Sequence, residues 1–515
     1  PFQPDLVVQC LYKMPRGAAT AIEGWTRDLL LDAINVRFET ACEIGTLLAQ
    51  LMMSTGDTPN TSRCFFAPWA MRIIRAGRLI AIPKQPDDVR PITIGCFFVK
   101  LAGMCVLSRA RPERIPRQFA ISCRNGTQHV IHRVRDLYDS GKCIIKFDLA
   151  NAYNSANRSE IHKRLVEMRR DRPDLLQFFA AIYAEPSQLV VAGPQGSTAI
   201  ITASEGVRQG DACSSYFFCC VMLVAHLINA EFDTIGNEDV VQSFLYMDDA
   251  TFAVDPAIAH RAAAFIRKVL VGIGFTINDA KSSMMCKDPS ALRNDAAAAD
   301  AAAQLRVVDP EREGFKVLGA IINECHTDQN AKIIARNDKY FDALDALRVH
   351  PETKHALLFF CGRPKLTFYC STTPPQHGRE VVAHFQQRLH RSFANLINVD
   401  TNSIDPVLFS AEQGAYLPDF LNNAAALYNN SRTMARSGSD SAAPVRLTNL
   451  LPEGGADSPA GFVVESLAAA YPWTRFVHTD EHFRLPPNIF TTALALRCRV
   501  VPKFLTQQHV AKRCC

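Results

Sequence analysis

Residues 142–150, KCIIKFDLA, alternate as a strand does, with Ile144, Lys146 and Asp148 on one face and Ile145 and Phe147 on the other. A second strand pattern runs through VVQSFLYM, meets Asp248-Asp249 and resumes in TFAVD, which predicts a hairpin with the two aspartates at its tip. RLIAIPK and VRPITIG (78–95) predict another hairpin, confined to a sheet edge by Pro83 and Pro91. GPQGSTAIITASEGVRQGD (193–211) reads as a hairpin and loop, and FKVLGAII (315–322) as a short strand pair. Between these lie helical patterns: residues 1–62, where GWTRDLLLDAI (24–34) places apolar residues at helical spacing behind a Thr26 cap, then 127–140, 158–168, an apolar stretch at 212–232, and 261–274 ended by Gly274. Residues 331–430 read as mostly helical, and 431–461 carry the Ser, Gly, Pro and Ala of a linker before a final helical piece. The tract DAAAADAAA (295–303) reads as a low-complexity surface insertion. Hairpins embedded among helices predict a mixed α and β fold, not the regular β-α-β-α of a doubly wound sheet.

The chain has 515 residues and is 48% hydrophobic, enough for several buried cores. Its net charge of +5 decides little, but residues 63–117 are rich in Arg and Lys, a composition suited to facing a polyanion. The cysteine count is 17, with no C-x-x-C, which favours reduced thiols in a nuclear or cytosolic protein over a disulfide scaffold. FFCCVMLVAHLI (217–228) is too short to span a bilayer and suits a buried helix. The chain opens on PFQPDLVVQC without an initiating Met or a signal peptide, and is expected to be a fragment.

Two adjacent aspartates at a hairpin tip are ordinary turn residues when taken alone. Asp148 changes the weighing, because an acid ending a buried strand is costly unless paired, hydrogen-bonded or metal-bound. If that strand lies beside the 243–254 hairpin, Asp148, Asp248 and Asp249 converge and repel one another unless cations neutralise them. Oxygen-only ligands suit Mg²⁺, and two such ions about 3.5–4 Å apart bind the attacking and leaving oxygens of phosphoryl transfer.

With IIKFDLANAY, GVRQGDACSS and YMDD in this order, the chain resembles a reverse transcriptase of a non-LTR retrotransposon over roughly residues 20–430. The resemblance implies an α+β right-hand polymerase: N-terminal extension 1–62, fingers 63–142, palm 143–330, thumb 331–430, linker 431–461 and a partial C-terminal region 462–515. It implies two Mg²⁺ ions, with Mn²⁺ as a substitute, held by Asp148, Asp248 and Asp249, and a primer 3′-hydroxyl attacking the α-phosphate of a dNTP.

Residue by residue, the resemblance places Tyr153 under the sugar, where a rigid ring excludes a 2′-hydroxyl. Gln209 and Gly210 fall on the loop near the incoming nucleotide and template, with Gly206 and Gly210 allowing close backbone approach to a base pair. Asp211 or Ser214 is expected to cap the helix that follows, although Cys213-Ser214-Ser215 stands where many relatives have Leu-Ser-Pro. Lys84 and Arg90 match positions that grip the triphosphate. Lys281 matches a lysine that assists pyrophosphate departure, and Leu318-Gly319 a turn that positions the primer end. Lys365 and Arg363 would track a duplex backbone, and the GWT context of Trp25 resembles the segment preceding the fingers.

NAYNSANR (151–158) leans toward the target-site-specific branch, the spliced-leader or ribosomal-DNA inserting elements, in which a zinc knuckle that Cys514-Cys515 would begin follows the thumb; Met247 in place of Ala weakens that assignment. The implied partners are an RNA template, a DNA primer or target and dNTPs, with no membrane. The implied location is nuclear, with a cytoplasmic RNA-bound stage. Two rival readings are a reverse transcriptase of another lineage, telomerase-like or intron-encoded, and a non-catalytic RNA-binding protein on the same fold.

Overall fold

The computed structural model describes residues 1–53, 66–85, 88–110, 115–168, 173–193, 197–222, 228, 232, 240–292, 305–362, 364–403 and 419–437. These fall into two compact units, one of 1–126 and 140–308, the other of 127–139 and the chain from 309 onward. The expected insertion at 295–303, Arg363 and the region beyond 437 lie outside the described residues.

The first unit holds two sheets. In chain order the strands are β1 (Gly77–Gln85), β2 (Asp88–Gly95), β3 (Cys143–Asp148), β4 (Ser187–Ala192), β5 (Thr198–Ala203), β6 (Gln242–Tyr246), β7 (Asp249–Val254), β8 (Ser283–Met285) and β9 (Arg306–Val307). One sheet has the order β2-β1-β4-β5, the other β6-β7-β3-β8-β9. In the first sheet β2 is an edge strand, so Pro91 costs no inner ladder bond. Pro83 is tolerated for a different reason: β1 pairs with β4 only through Gly77–Leu79, so the part of β1 carrying Pro83 has one neighbour.

In the second sheet β3 is central, antiparallel to both β7 and β8. Residues 143–147 of β3 are apolar apart from Lys146, and four of those five are buried, as a strand covered on both faces requires. Cys143, Ile145, Phe147, Leu245, Phe252 and Met284 join one continuous core with the surrounding helices, among them Arg158–Glu167, Pro173–Tyr183, Ser214–Val221 and Ala259–Gly272. The helix Arg27–Val36 starts at the expected cap, with Leu29 N–H donating to Thr26 Oγ1 at 3.2 Å.

Among its described residues, the regular structure of the second unit is helical except for the hairpin β10 (Lys316–Val317) and β11 (Ala320–Ile321). Phe341, Leu366, Phe385, Leu389, Phe393 and Phe420 form the centre of its core. The helix Gly126–Asp139, read from sequence within residues 63–142, groups with this unit from residue 127. Its polar residues supply the reason: His132 Nε2 bonds the Ser371 carbonyl at 2.9 Å, and Arg135 donates to the Ile321 carbonyl at 2.7 Å. Residues 431–437, expected to open a linker, are instead the end of the helix Phe420–Ser437, where Arg432 and Arg436 bind Asp136. The described cysteines, from Cys10 to Cys370, are free thiols. Among the described residues no helix is long and apolar enough to cross a membrane.

Candidate active site

Strand pairing brings chain-distant acids together. Asp148, the last residue of β3, lies directly opposite Asp249, the first residue of β7, and Tyr246 pairs with Asp249 across the β6–β7 turn. Asp148 is pinned through its backbone: its N–H donates to Ser282 Oγ at 3.0 Å, and its carbonyl accepts from Asn278 N–H at 2.8 Å. The turn itself is Met247-Asp248, and it is Met247, not an aspartate, that takes the positive φ of 52°. A left-handed non-glycine residue is costly, and three contacts hold it here. Met247 N–H donates to Gln118 Oε1 at 3.1 Å, and the Met247 sulfur meets Tyr153 Oη at 3.3 Å and Cys219 Sγ at 3.6 Å.

Gln118 is a residue that sequence reading passed over. It is fully buried and bridges in parallel to Leu245, so the segment 117–119 runs beside β6 and supports the turn. Its only sequence signal is a glutamine in RQFAIS, which has no periodicity to mark it.

Asp148 and Asp249 are half-buried, and Asp248 is exposed on the turn. Burial pushes the Asp249 carboxyl up; Lys146, with Nζ at 4.0 Å, opposes this, and Asp248 and Asp148 add to it. The expected convergence of three acids into one pocket is therefore met by two opposed carboxylates with the third beside them on the turn. Among the described residues no three His, Cys, Asp or Glu side chains are placed to hold a metal ion together. Asp148 and Asp248 raise the Asp249 carboxyl by like charge, and Lys146 offsets part of this. The donor set still fits a hard divalent cation: oxygen ligands only, partly open to solvent, with one carboxyl whose ionised form is disfavoured by burial and by its acidic neighbours.

Tyr153 is half-buried and its plane is fixed. It stacks on Phe218 at 4.6 Å between centroids and 9° between planes, while its hydroxyl donates to Ser215 Oγ at 3.2 Å. Burial pushes its phenol up.

The loop carrying Gln209 packs against protein backbone on two sides. Gly206 has φ 69°, and a Cβ there would overlap the Asn154 backbone; Gly210 has φ 121°, and a Cβ there would lie 2.8 Å from the Thr93 carbonyl. Protein backbone, of Asn154 and of Thr93, is therefore what excludes a Cβ at these two positions. Asp211 does not cap the next helix, whose N-cap Cys213 makes no side-chain cap bond. Instead Asp211 Oδ2 accepts from Tyr183 Oη at 2.7 Å, and Arg208 Nη1 lies 3.9 Å away. Ser214 likewise meets Tyr183 Oη, at 3.2 Å. A cavity of about 240 Å³ adjoins this loop, lined by Trp25, Ile92, Thr93, Gly95, Gly210 and Asp211 among others.

Lys281 is exposed on the turn whose Asn278 and Ser282 bond the Asp148 backbone, so that turn is tied to the end of β3. Arg90 is exposed on β2 opposite Ile82, and Lys84 falls on β1 at the register shift between Pro83 and Gln85. Both belong to the other sheet. Leu318 and Gly319, with φ 46° and 94°, form the β10–β11 turn in the second unit, where Gln329 Nε2 donates to the Gly319 carbonyl at 2.7 Å. In the same unit Lys365 Nζ sits 4.3 Å from the Tyr340 ring centroid.

The antiparallel ladder β3–β7 that sets Asp148 opposite Asp249, within an α+β chain, is consistent with a right-hand polymerase fold. Residues 82–322 match the family model described as reverse transcriptase (RNA-dependent DNA polymerase), so the chain carries a reverse transcriptase domain, which depends on divalent metal. Its relatives are of the non-LTR retrotransposon kind. The retrotransposable element SLACS 132 kDa protein of Trypanosoma brucei gambiense is 21% identical over 390 residues, 73% of this chain and 30% of the relative. The Pol polyprotein from the type-1 retrotransposable element R2 of Popillia japonica is 25% identical over 217 residues, 39% of this chain and 29% of the relative. The chain thus spans less than a third of the length of the curated relatives it matches. Among solved structures, telomerase from Candida tropicalis in complex with a fragment of telomeric RNA aligns at 10% identity and a TM-score of 0.36, over 82% of this chain and 64% of that one.

Proposed function

We propose that the chain is an RNA-directed DNA polymerase that extends a DNA 3′ end on an RNA template, at a nicked chromosomal target and hence in the nucleus, as part of retrotransposition. The observation that carries this reading is the register of Asp148 opposite Asp249 on the central ladder. Both curated relatives are retrotransposable element proteins, which supports the mobile-element role.

Asp148, Asp248 and Asp249 would hold two Mg²⁺ ions, with Mn²⁺ as a substitute. When bound, such ions neutralise charge on the attacking and leaving oxygens of nucleotidyl transfer. The protein's own part is positional. The Ser282 and Asn278 bonds fix where β3 ends, and Gln118 holds the Met247-Asp248 turn. The stacked Tyr153 ring forms a wall under the incoming sugar that excludes a 2′-hydroxyl, and Gln209 faces nucleotide and template. Lys84 and Arg90 grip the triphosphate, Lys281 assists pyrophosphate departure, and Leu318-Gly319 place the primer end. On this reading residues 63–142, 143–330 and 331–430 act broadly as fingers, palm and thumb.

The test is primer extension on an RNA template with dNTPs and Mg²⁺. The wild-type chain is expected to extend, and Asp148→Asn and Asp249→Asn to lose about a thousandfold or more, the scale on which removal of a main electrostatic group acts. A folded wild-type chain that adds no nucleotide in Mg²⁺ or Mn²⁺ overturns the proposal.

A further inference from the structure

Arg158 is the first residue of the helix Arg158–Glu167, a position where the helix dipole disfavours a cation. Burial lowers its pKa to about 10, so its charge is both unfavourably placed and partly desolvated, yet retained at neutral pH. Its bonds supply the compensation. A guanidinium has five N–H donors, and all five find backbone carbonyls. Nε donates to Gly206 at 2.9 Å, Nη1 to Tyr183 and Glu185 at 3.3 and 3.4 Å, and Nη2 to Ala203 and Glu205 at 3.3 and 3.1 Å. The guanidinium also lies 5.4 Å from the Tyr183 ring centroid.

These carbonyls come from the end of the helix Pro173–Tyr183, the end of β5, and the entry to the loop that carries Gln209. The same loop entry is bound from the other side by the segment leading to Arg158. Val207 N–H donates to the Tyr153 carbonyl at 2.8 Å, and Gly206 N–H to the Ala156 carbonyl at 3.0 Å. Residues 148–158 therefore hold both the β3 carboxylate and the anchor of the loop.

We infer that Arg158 is a positioning residue: it fixes the loop 204–211, and with it Gln209, relative to Asp148 and Tyr153, so that nucleotide and metal ligands stay in register. The inference takes the substrate from the function proposed above. Lysine has three donors on one centre and cannot span three segments in this way.

The experiment compares the whole chain with Arg158→Gln, Arg158→Lys, Gln209→Ala and the double variant Arg158→Gln/Gln209→Ala. Hydrogen exchange comes first, because it needs no activity. Arg158→Gln is expected to speed exchange of the Gly206 and Val207 amides while leaving those of β3 unchanged, with Arg158→Lys intermediate. Single-nucleotide addition then reads the consequence. KM for dNTP is expected to rise by about tenfold with a smaller change in kcat, within the range that a misplacement of about 1 Å produces. The rise is expected to be shared with Gln209→Ala, so that the double variant is no worse than the worse single one. Exchange that rises evenly through the whole first unit, or a KM unchanged while kcat falls, overturns the inference and leaves Arg158 a general support of the fold. Should Arg158→Gln fail to fold, Arg158→Lys carries both readouts. If the wild-type chain adds no nucleotide, the proposed function fails, and the exchange result still decides whether Arg158 fixes the loop.

Discussion

Asp249 states the conflict at the site most plainly. Burial and the carboxylates of Asp148 and Asp248 disfavour its ionised form, and Lys146 only partly offsets them. An acid whose folded pKa is raised contributes stability below that pKa and loses it as pH rises through it. Asp249→Asn is therefore expected to raise the melting temperature of the metal-free chain at pH 8, with the gain shrinking toward pH 4, as pH falls through the raised pKa of the wild-type carboxyl. Thermal melts at the two pH values check this, and a lower melting temperature at pH 8 refutes it. The same variant is expected to lose polymerisation, which would make the site a trade of stability for function. Tyr153 makes a second prediction. Its ring is held by Phe218 and Ser215, so on the proposed function Tyr153→Ala removes the wall under the sugar, together with one of the three contacts on Met247. Ribonucleotide addition relative to deoxynucleotide addition is expected to rise by about tenfold or more, on the scale at which a pocket contact discriminates. Competing rNTP and dNTP incorporation measures it.

At the scale of elements, Gly206 shows why a loop can need one residue type. Its φ is positive and its Cα lies against the Asn154 backbone, which cannot move aside as a side chain can. Gly206→Ala is expected to destabilise by about 1–3 kcal/mol, the range for a strained backbone position. Denaturant unfolding reads this, and a change below a few tenths of that would show the loop to be pliant. Strand periodicity made β3, β6 and β7 legible before any coordinates, because each carries a clean apolar run. Their order was only partly legible: pairing of β3 with β7 followed from the need of Asp148 for company, whereas pairing with β8, more than a hundred residues away, left no local trace. The helix Gly126–Asp139 was legible as a helix but not as part of the second unit, since amphipathicity says that a face is buried and not against what. The capping role expected of Asp211 failed because the buried Tyr183 hydroxyl, 28 positions away and invisible in the local string, bonds its carboxylate, with the local Arg208 at 3.9 Å. Arg158 shows the same limit, since its partners lie 25 to 48 positions along the chain.

For the molecule as a whole, the chain leaves the first unit after residue 126 and returns at 140, so the helix between groups with a unit other than that of its sequence neighbours. What holds it there is partly electrostatic. Asp136 accepts from Arg432 Nε and Nη2 at 3.2 and 2.6 Å and from Arg436 Nε and Nη2 at 2.9 and 3.0 Å. Burial works against its ionisation, but the bonds from Arg436 and Arg432 outweigh burial and hold the carboxyl below its usual range. A depressed folded pKa contributes stability above the unfolded pKa and loses it as pH falls through the folded one. The helix Phe420–Ser437 is thus expected to loosen on acidification, below the ordinary carboxylate range, and to be firm at neutral pH. Asp136→Asn keeps the shape and removes the charge, which makes it the sharper probe. It should cost about 1–3 kcal/mol, the scale of hydrogen bonds to a charged group, because two guanidinium groups lose their shared acceptor. Trypsin cuts after arginine, and Arg432 and Arg436 are the residues held, so cleavage at these two sites at pH 7.5 is expected to quicken in Asp136→Asn while sites in the first unit keep their rates. Equal cleavage in variant and wild type would mean that the apolar contacts of Phe420 and Leu427 secure this helix without the ion pairs.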